Sequence, residues 1–284
     1  MMLLADSGST KTHWAMLSPT NKVSEYTTLG LNPHLTSEHF FDKVLAETFQ
    51  FCKADIKSVY FYGSGCATAY QALYVKNRLE RFFSQAHITV NSDVCAAAKA
   101  LLGNAEGYIA ILGTGSACAY YNGNNIQQMS PSLGYIIGDE GSGAALGKEL
   151  LKAFFYNKLP PKLATNFSKQ YALSRDEVLQ KLYHQPRPNA WLASFAPFLK
   201  ENLNDAFAAQ IVFNAFNDFF NYHIKNTVQD KNKPLACMGS VAWHFKEILI
   251  DVACKHNHTI FDIQKDAIHA LVAYHKTDSM RANQ

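Results

Sequence analysis

The stretch that decides the fold is DSGSTKT at residues 6–12, answered later in the chain by LGTGS at residues 112–116 and GDEGSG at residues 138–143. The first two each follow a short apolar run. Each then replaces side-chain bulk with backbone N–H groups and small hydroxyls, the surroundings a polyphosphate needs. One such turn is an ordinary tight turn as readily as a phosphate loop. Two of them with a glycine-rich acidic loop behind point to a nucleotide gripped from two sides.

Working outward, the chain has 284 residues, 48% of them hydrophobic, enough for two domains with sizeable cores. The formal net charge is only +3, and Lys and Arg are scattered singly, so no stripe for a nucleic-acid backbone is present. The six cysteines include no Cys-x-x-Cys pair and read as reduced thiols. Asp6 interrupts the opening apolar run before it reaches the length of a signal-peptide core, so a cytoplasmic location is expected. Residues 107–138 carry no charge, but glycines and a cluster of Asn and Gln break the apolar content. Buried strands and turns are expected there rather than a membrane span.

Periodicity gives two similar halves. Strands are expected at 2–5, 12–17 and 23–28, then a helix at 37–51, a strand at 59–62, a helix at 70–83, a strand at 88–90 and a helix at 92–102. The second half opens on strands at 108–112, 116–121 and 126–129, with an Asn122-Gly123 turn. Helices follow at 143–156, 161–171, 174–183 and 205–228, then a strand at 235–238, a helix at 241–254, a strand at 259–261 and a last helix at 265–275. The order repeats at the level of topology, and the boundary falls near residues 103–107. Two domains are therefore expected, 1–106 and 107–284, with the last helix packing back on the first.

Several residues in this frame have two readings. Asp6 ends the first strand, where it can hold Mg²⁺ through water, and Ser9, Thr10 and Lys11 offer donors to the β- and γ-phosphates; a hairpin turn uses the same Gly and Ser. In the second turn Gly113 and Gly115 allow close approach of phosphate and Thr114 adds a hydroxyl. Asp93 follows a strand and opens an Ala-rich helix, a position for a catalytic base and equally for a helix N-cap. Asp139 and Glu140 lead into a helix and could be simple first-turn acids. Asn32 precedes Pro33, a common turn former. The aromatics of residues 213–222 lie at helical spacing and read as core or dimer surface, and the eleven histidines show no metal spacing.

Together DSGSTKT, GLNP at 30–33, NSD at 91–93, LGTGS, LGYIIGDEGSG at 133–143 and CMGSVAWHF at 237–245 resemble the sugar kinase branch of the actin, hexokinase and heat-shock ATPase superfamily. The match is to the N-acetylglucosamine kinases and their bacterial relatives grouped with the dehydratase-activator ATPases, over nearly the whole chain. The resemblance implies an α/β fold of two duplicated ribonuclease H-like domains with an interdomain nucleotide cleft. It implies ATP and Mg²⁺ as cofactors, an amino sugar as substrate, a homodimer, and neither nucleic acid nor membrane as partner. It assigns Asp93 as the base and Asn32, Asp139 and Gly134 to the sugar. Gly239 and Ser240 fall where the family packs adenosine. The family's Gly-Trp-Gly at the pocket rim is replaced by Ser132-Leu133-Gly134-Tyr135. The implied reaction is phosphorylation of N-acetylglucosamine at the 6-hydroxyl.

A second reading is an ATPase that activates a partner redox enzyme. Those activators hold an iron–sulfur cluster between subunits and carry Gly-Gly-Gln-Asp at the second turn, where this chain has Gly-Thr-Gly-Ser; Cys95 and Cys118 are the cysteines near plausible cleft elements. A third reading, a sugar-responsive binding protein without catalysis, is disfavoured by the set of Asp6, Asp93 and Asp139.

Overall fold

The computed structural model describes residues 1–282, and within them all side chains except those of residues 128 and 278–282. In chain order, β1 (Met2–Ser7), β2 (Lys11–Leu17), β3 (Val23–Leu29), α1 (Glu38–Phe49), β4 (Ser58–Gly63), α2 (Ala69–Phe82), β5 (His87–Ser92) and α3 (Asp93–Leu102) come first. Then follow β6 (Glu106–Leu112), β7 (Ser116–Asn122), β8 (Ile126–Met129), α4 (Gly134–Ile137), α5 (Gly143–Phe155), α6 (Pro161–Tyr171), α7 (Arg175–Tyr183), α8 (Pro188–Ala193), α9 (Ala196–Glu201), α10 (Ala206–Phe219) and α11 (Lys225–Thr227). The chain closes with β9 (Leu235–Met238), α12 (Ser240–His244), α13 (Lys246–Lys255), β10 (Ile260–Gln264) and α14 (Ile268–Ala282). No helix among the described residues is long and apolar enough to cross a membrane.

Contacts divide the chain into two compact units. The first comprises Met1–Ala105, Tyr121–Ile126 and the chain from Asp266 on; the second comprises Glu106–Tyr120 and Gln127–Lys265. The two five-stranded sheets have the orders β3-β2-β1-β4-β5 and β8-β7-β6-β9-β10, the same order when strands are matched in sequence. In the first, β1, β2 and β3 are antiparallel, while β4 and β5 add in parallel. In the second, β6, β9 and β10 are parallel.

Alternation along β1 separates two layers of the first unit, because successive side chains point to opposite faces. Leu3 and Ala5 face a core with Phe41, Leu45 and Phe49 of α1 and Val75 and Leu79 of α2. Leu4 faces the other way, onto Ile268 and Val272 of α14. Asp6 therefore shares the α14 face, with its carboxylate accepting the N–H of Ala267 at 3.3 Å. In the second unit, strand residues Tyr108, Ala110 and Leu112 pack with Leu146 and Leu150 of α5 and Phe216 and Phe219 of α10.

The helical boundaries differ from periodicity where tertiary packing intervenes. The expected helix at 241–254 is two helices broken at Phe245, whose side chain is buried and whose φ of −115° leaves the helical region. The expected helix at 205–228 passes into a π turn over Phe220–Ile224 before α11. The hairpin after β7 turns about Gly123 and Asn124: Asn122 N–H donates to the Asn125 carbonyl at 3.1 Å. The short helices α4, α8 and α9 have too few residues to show a period.

Candidate active site

In the first unit, the register places Ser7 of β1 opposite Gly63 of β4, and Gly63 opposite Ser92 of β5. Asp6 therefore stands one residue before the carboxyl ends of three parallel strands and Asp93 one residue beyond them, the end of an open α/β sheet where ligands bind. The N-cap of α3 is Ser92, whose hydroxyl accepts the Cys95 N–H at 3.2 Å. Asp93 is thus the first helical residue, with Oδ1 accepting from Val94 N–H at 2.9 Å.

Both acids are partly accessible yet densely surrounded by protein. Burial, with Asp6 beside it, pushes the Asp93 carboxyl up to about 6, against the bonds it accepts from Val94 and Ser64. Burial likewise raises Asp6, with Asp266 adding to the effect and the Ala267 N–H opposing it. Two neighbouring carboxylates ionise as a pair, and the second charge is the costly one.

The first turn is stitched to the GLNP loop. Gly30 N–H donates to the Thr10 carbonyl at 2.9 Å, Leu31 N–H to Ser7 Oγ at 3.1 Å, and Asn32 Nδ2 to Ser9 Oγ at 3.1 Å. A Cβ at Gly30 would overlap the Gly8 carbonyl oxygen, so this approach requires glycine. Asn32 is buried, and its Oδ1 accepts from His34 N–H at 2.9 Å, which leaves one amide hydrogen uncommitted. Lys11 and Thr10 are exposed.

In the second unit, β6 and β9 are in register at Ile111 and Met238, so Gly113 and Gly239 both lie just past their strands' carboxyl ends. Gly239 has a φ of 123°, and a Cβ there would overlap the Leu112 carbonyl oxygen. Ser240 begins α12. The GDEGSG loop is zipped onto the second turn: Gly143 N–H donates to the Gly113 carbonyl at 2.8 Å and Ala144 N–H to that of Thr114 at 3.1 Å. Asp139 is buried, accepts weakly from Ser116 N–H at 3.4 Å, and is raised first by burial and then by Glu140. Ser116 Oγ is buried without a hydrogen-bond partner at this turn. Gly134, with a φ of 72°, opens α4, and Lys148 Nζ donates to the Tyr135 carbonyl at 3.3 Å.

The structure thus gathers the site candidates into two sets, Asp6, Ser9, Asn32 and Asp93 in one unit and Gly113–Gly115, Asp139 and Gly239 in the other. Residues that sequence reasoning passed over are Ser64, Ser116, Lys148 and His223. Ser64 follows a Gly at a strand end, as the turn residues do, and that signal was available. His223 directly follows the run of aromatics at 213–222, whose spacing gives no sign of it.

Mg²⁺ is tested by the donor set. Among the described residues no three His, Cys, Asp or Glu side chains gather to form a cage. Two crowded carboxylates, Asp6 and Asp93, near a phosphate-type turn are compatible with an ion that arrives on phosphates and keeps most of its water. All six cysteines are unpaired thiols, and burial pushes Cys118 up to about 12 and raises Cys95.

No protein-family model and no curated protein matches the chain. Among solved structures, it is 33% identical to one described as "Putative N-acetylglucosamine Kinase" from Porphyromonas gingivalis, with a TM-score of 0.92 over 98% of this chain and 100% of that one. A second of the same description, from Chromobacterium violaceum, shares 17% identity and the fold, with a TM-score of 0.70 over 96% of this chain and 98% of that one. A ROK family glucokinase from Streptomyces griseus, solved with glucose and AMPPNP, shares 15% identity and a TM-score of 0.56 over 96% and 97% of the two chains. The sheet order, the paired phosphate-type turns and the full-length match above 30% identity agree. The chain belongs to the N-acetylglucosamine kinase-like sugar kinases of the actin-like ATPase fold.

Proposed function

We propose that the protein transfers the γ-phosphoryl group of ATP to the 6-hydroxyl of N-acetylglucosamine, with Asp93 as the base. The observation that carries this reading is the state of Asp93. It stands at the carboxyl end of the parallel strands, is relieved of capping by Ser92, and has a carboxyl raised to about 6. A base of that strength is largely ionised at neutral pH and still able to take a proton.

In the reaction the sugar oxygen forms a bond to the γ-phosphorus as the bond from that phosphorus to the β–γ bridging oxygen breaks. ADP leaves with the electron pair, and the hydroxyl proton goes to Asp93. The transition state is loose, so the base chiefly orients the hydroxyl and takes its proton late. Ser9, Thr10 and Lys11, with Gly113, Thr114 and Gly115, are assigned to the phosphates, and Gly239 and Ser240 to the adenosine. Asn32, Gly134 and Asp139 are assigned to the sugar; the single amide hydrogen left on Asn32 suits one hydroxyl. Mg²⁺ held by Asp6 would supply charge neutralisation on the phosphates.

The test is ADP release across a panel of amino sugars with Mg²⁺, beside Asp93→Asn and 6-deoxy-N-acetylglucosamine. The wild-type enzyme should turn over N-acetylglucosamine and not its 6-deoxy form. Asp93→Asn should lower kcat by about 10²–10⁴ while the KM for ATP moves little. A panel in which no sugar stimulates ADP release rejects the kinase reading; full turnover by Asp93→Asn rejects the base alone.

A further inference from the structure

Asp139 and Glu140 are adjacent carboxylates whose surroundings differ. Asp139 has a φ of 58°, left-handed for an L-residue, and accepts from the Ser116 N–H of the second turn. Glu140 Oε2 lies 2.9 Å from His223 Nε2, and the other ring nitrogen, Nδ1, lies 2.8 Å from Ser130 Oγ. Only 4% of His223 is exposed, and its ring stacks on Phe219 at 5.1 Å with 28° between the planes. Ser130 Oγ already accepts the Cys118 N–H at 3.2 Å, so its own proton can go to Nδ1. Nε2 then donates to Glu140, so both ring nitrogens have a partner.

His223 reaches this place from the π turn over Phe220–Ile224, in which one added residue resets the angular position of every side chain after it. Such turns persist where a side chain is needed at an angle an α-helix would not supply. What His223 meets there is the wall of a hollow of about 480 Å³ bordered by Ile136, Glu140, Lys148, Asn214 and Asp218. Asp218 and Asp139 both bring like charge to Glu140, while His223 and Lys148 act on Asp139 in the opposite sense. Without the imidazole, Glu140 would lose this hydrogen bond and keep two acids as electrostatic neighbours.

The geometry points to His223 as a positioning residue for Asp139: by holding Glu140 it anchors the GDEGSG loop, so that Asp139 keeps its left-handed backbone and its carboxylate stays at Ser116. This rests on the reading of Asp139 as a sugar-binding group. It extends that reading to a residue 83 positions from Glu140 in sequence.

The test compares His223→Phe, which keeps the stack on Phe219 and removes both nitrogens, with His223→Gln, which keeps a donor for Glu140. Glu140→Ala breaks the same bond from the other side and stands in if the phenylalanine variant does not fold. Steady-state kinetics should show the KM for sugar rising by about tenfold in His223→Phe and Glu140→Ala, the KM for ATP within about twofold, and His223→Gln close to wild type. Hydrogen exchange should quicken in peptides over residues 113–118 and 138–144 in His223→Phe, not in His223→Gln, while residues 235–238 keep their protection. The exchange measurement needs no turnover, so it decides the positioning role even if the wild-type protein phosphorylates no sugar, a result that would reject only the kinase reading. Unchanged loop exchange in His223→Phe, an equal rise in both KM values with faster exchange throughout, or no rescue by glutamine would each overturn the positioning role.

Discussion

Asp93 carries two consequences of opposite sign for stability and activity. Its carboxyl is raised from 3.8 to about 6 in the folded chain, chiefly by burial and then by Asp6, so the folded state binds the proton more tightly than the unfolded chain does. Between those values the folded state holds more protons, and stability falls as pH rises, then levels off above about 6. The ionised acid thus costs up to about 3 kcal/mol at pH 8, at 1.36 kcal/mol per unit. Asp93→Asn should therefore unfold at a higher denaturant midpoint than wild type at pH 8, with the difference vanishing near pH 4. Wild-type kcat/KM should rise through pH 6 and flatten above it. A midpoint unchanged at pH 8, or a rate profile flat between pH 5 and 7, would contradict the raised carboxyl.

At the scale of elements, the strand ends are where backbone and chemistry meet, and Gly239 is the sharpest case. Its φ of 123° and ψ of 160° lie in a region essentially confined to glycine, and its Cα faces the Leu112 carbonyl where β9 passes β6. Gly239→Ala should cost about 1–3 kcal/mol and raise the KM for ATP more than that for sugar, because the shift falls on the β6–β9 ends beside the second turn. Equal KM values in variant and wild type would remove the strand end from nucleotide binding. Much at this scale was legible, since strands and caps are local events. The short apolar run of β1, the 3.6 period of α1 and the sheet-then-helix order could all be read from residue spacing. Ser92 taking the cap ahead of Asp93 could not, because both residues are good caps and only the Cys95 N–H chooses between them. The break at Phe245 and the π turn escaped for a related reason: burial of particular side chains outweighs an unbroken helical period. Glu140 and His223 are far apart in sequence and share no pattern, so no window of local reading joins them.

For the whole molecule, a net charge of +3 over 284 residues supplies little long-range attraction for a nucleotide, so the proposed reaction relies on local recognition. The same economy applies to the metal. With no cage of three or more ligands among the described residues, and with Asp6 and Asp93 both raised by burial, the protein by itself offers a divalent ion a poor site. Under the proposed reaction phosphate oxygens would provide the missing ligands, so metal and nucleotide should bind as linked partners, each tightening the other by the same factor. Calorimetric titration of the nucleotide-free protein with Mg²⁺ should give weak binding, and the same titration with ADP present should give markedly tighter binding. Thermal unfolding should show the linkage too. ADP at a hundredfold excess over its Kd should add about 2.7 kcal/mol of stability, with the Kd itself rising when EDTA removes the metal. Asp6→Asn should abolish most of the Mg²⁺ dependence while leaving the ligand-free protein no less stable, because the substitution removes a buried charge. A stoichiometric divalent ion retained through dialysis without nucleotide would mean that the chain builds its own metal site, and Asp6 would then need partners other than phosphate.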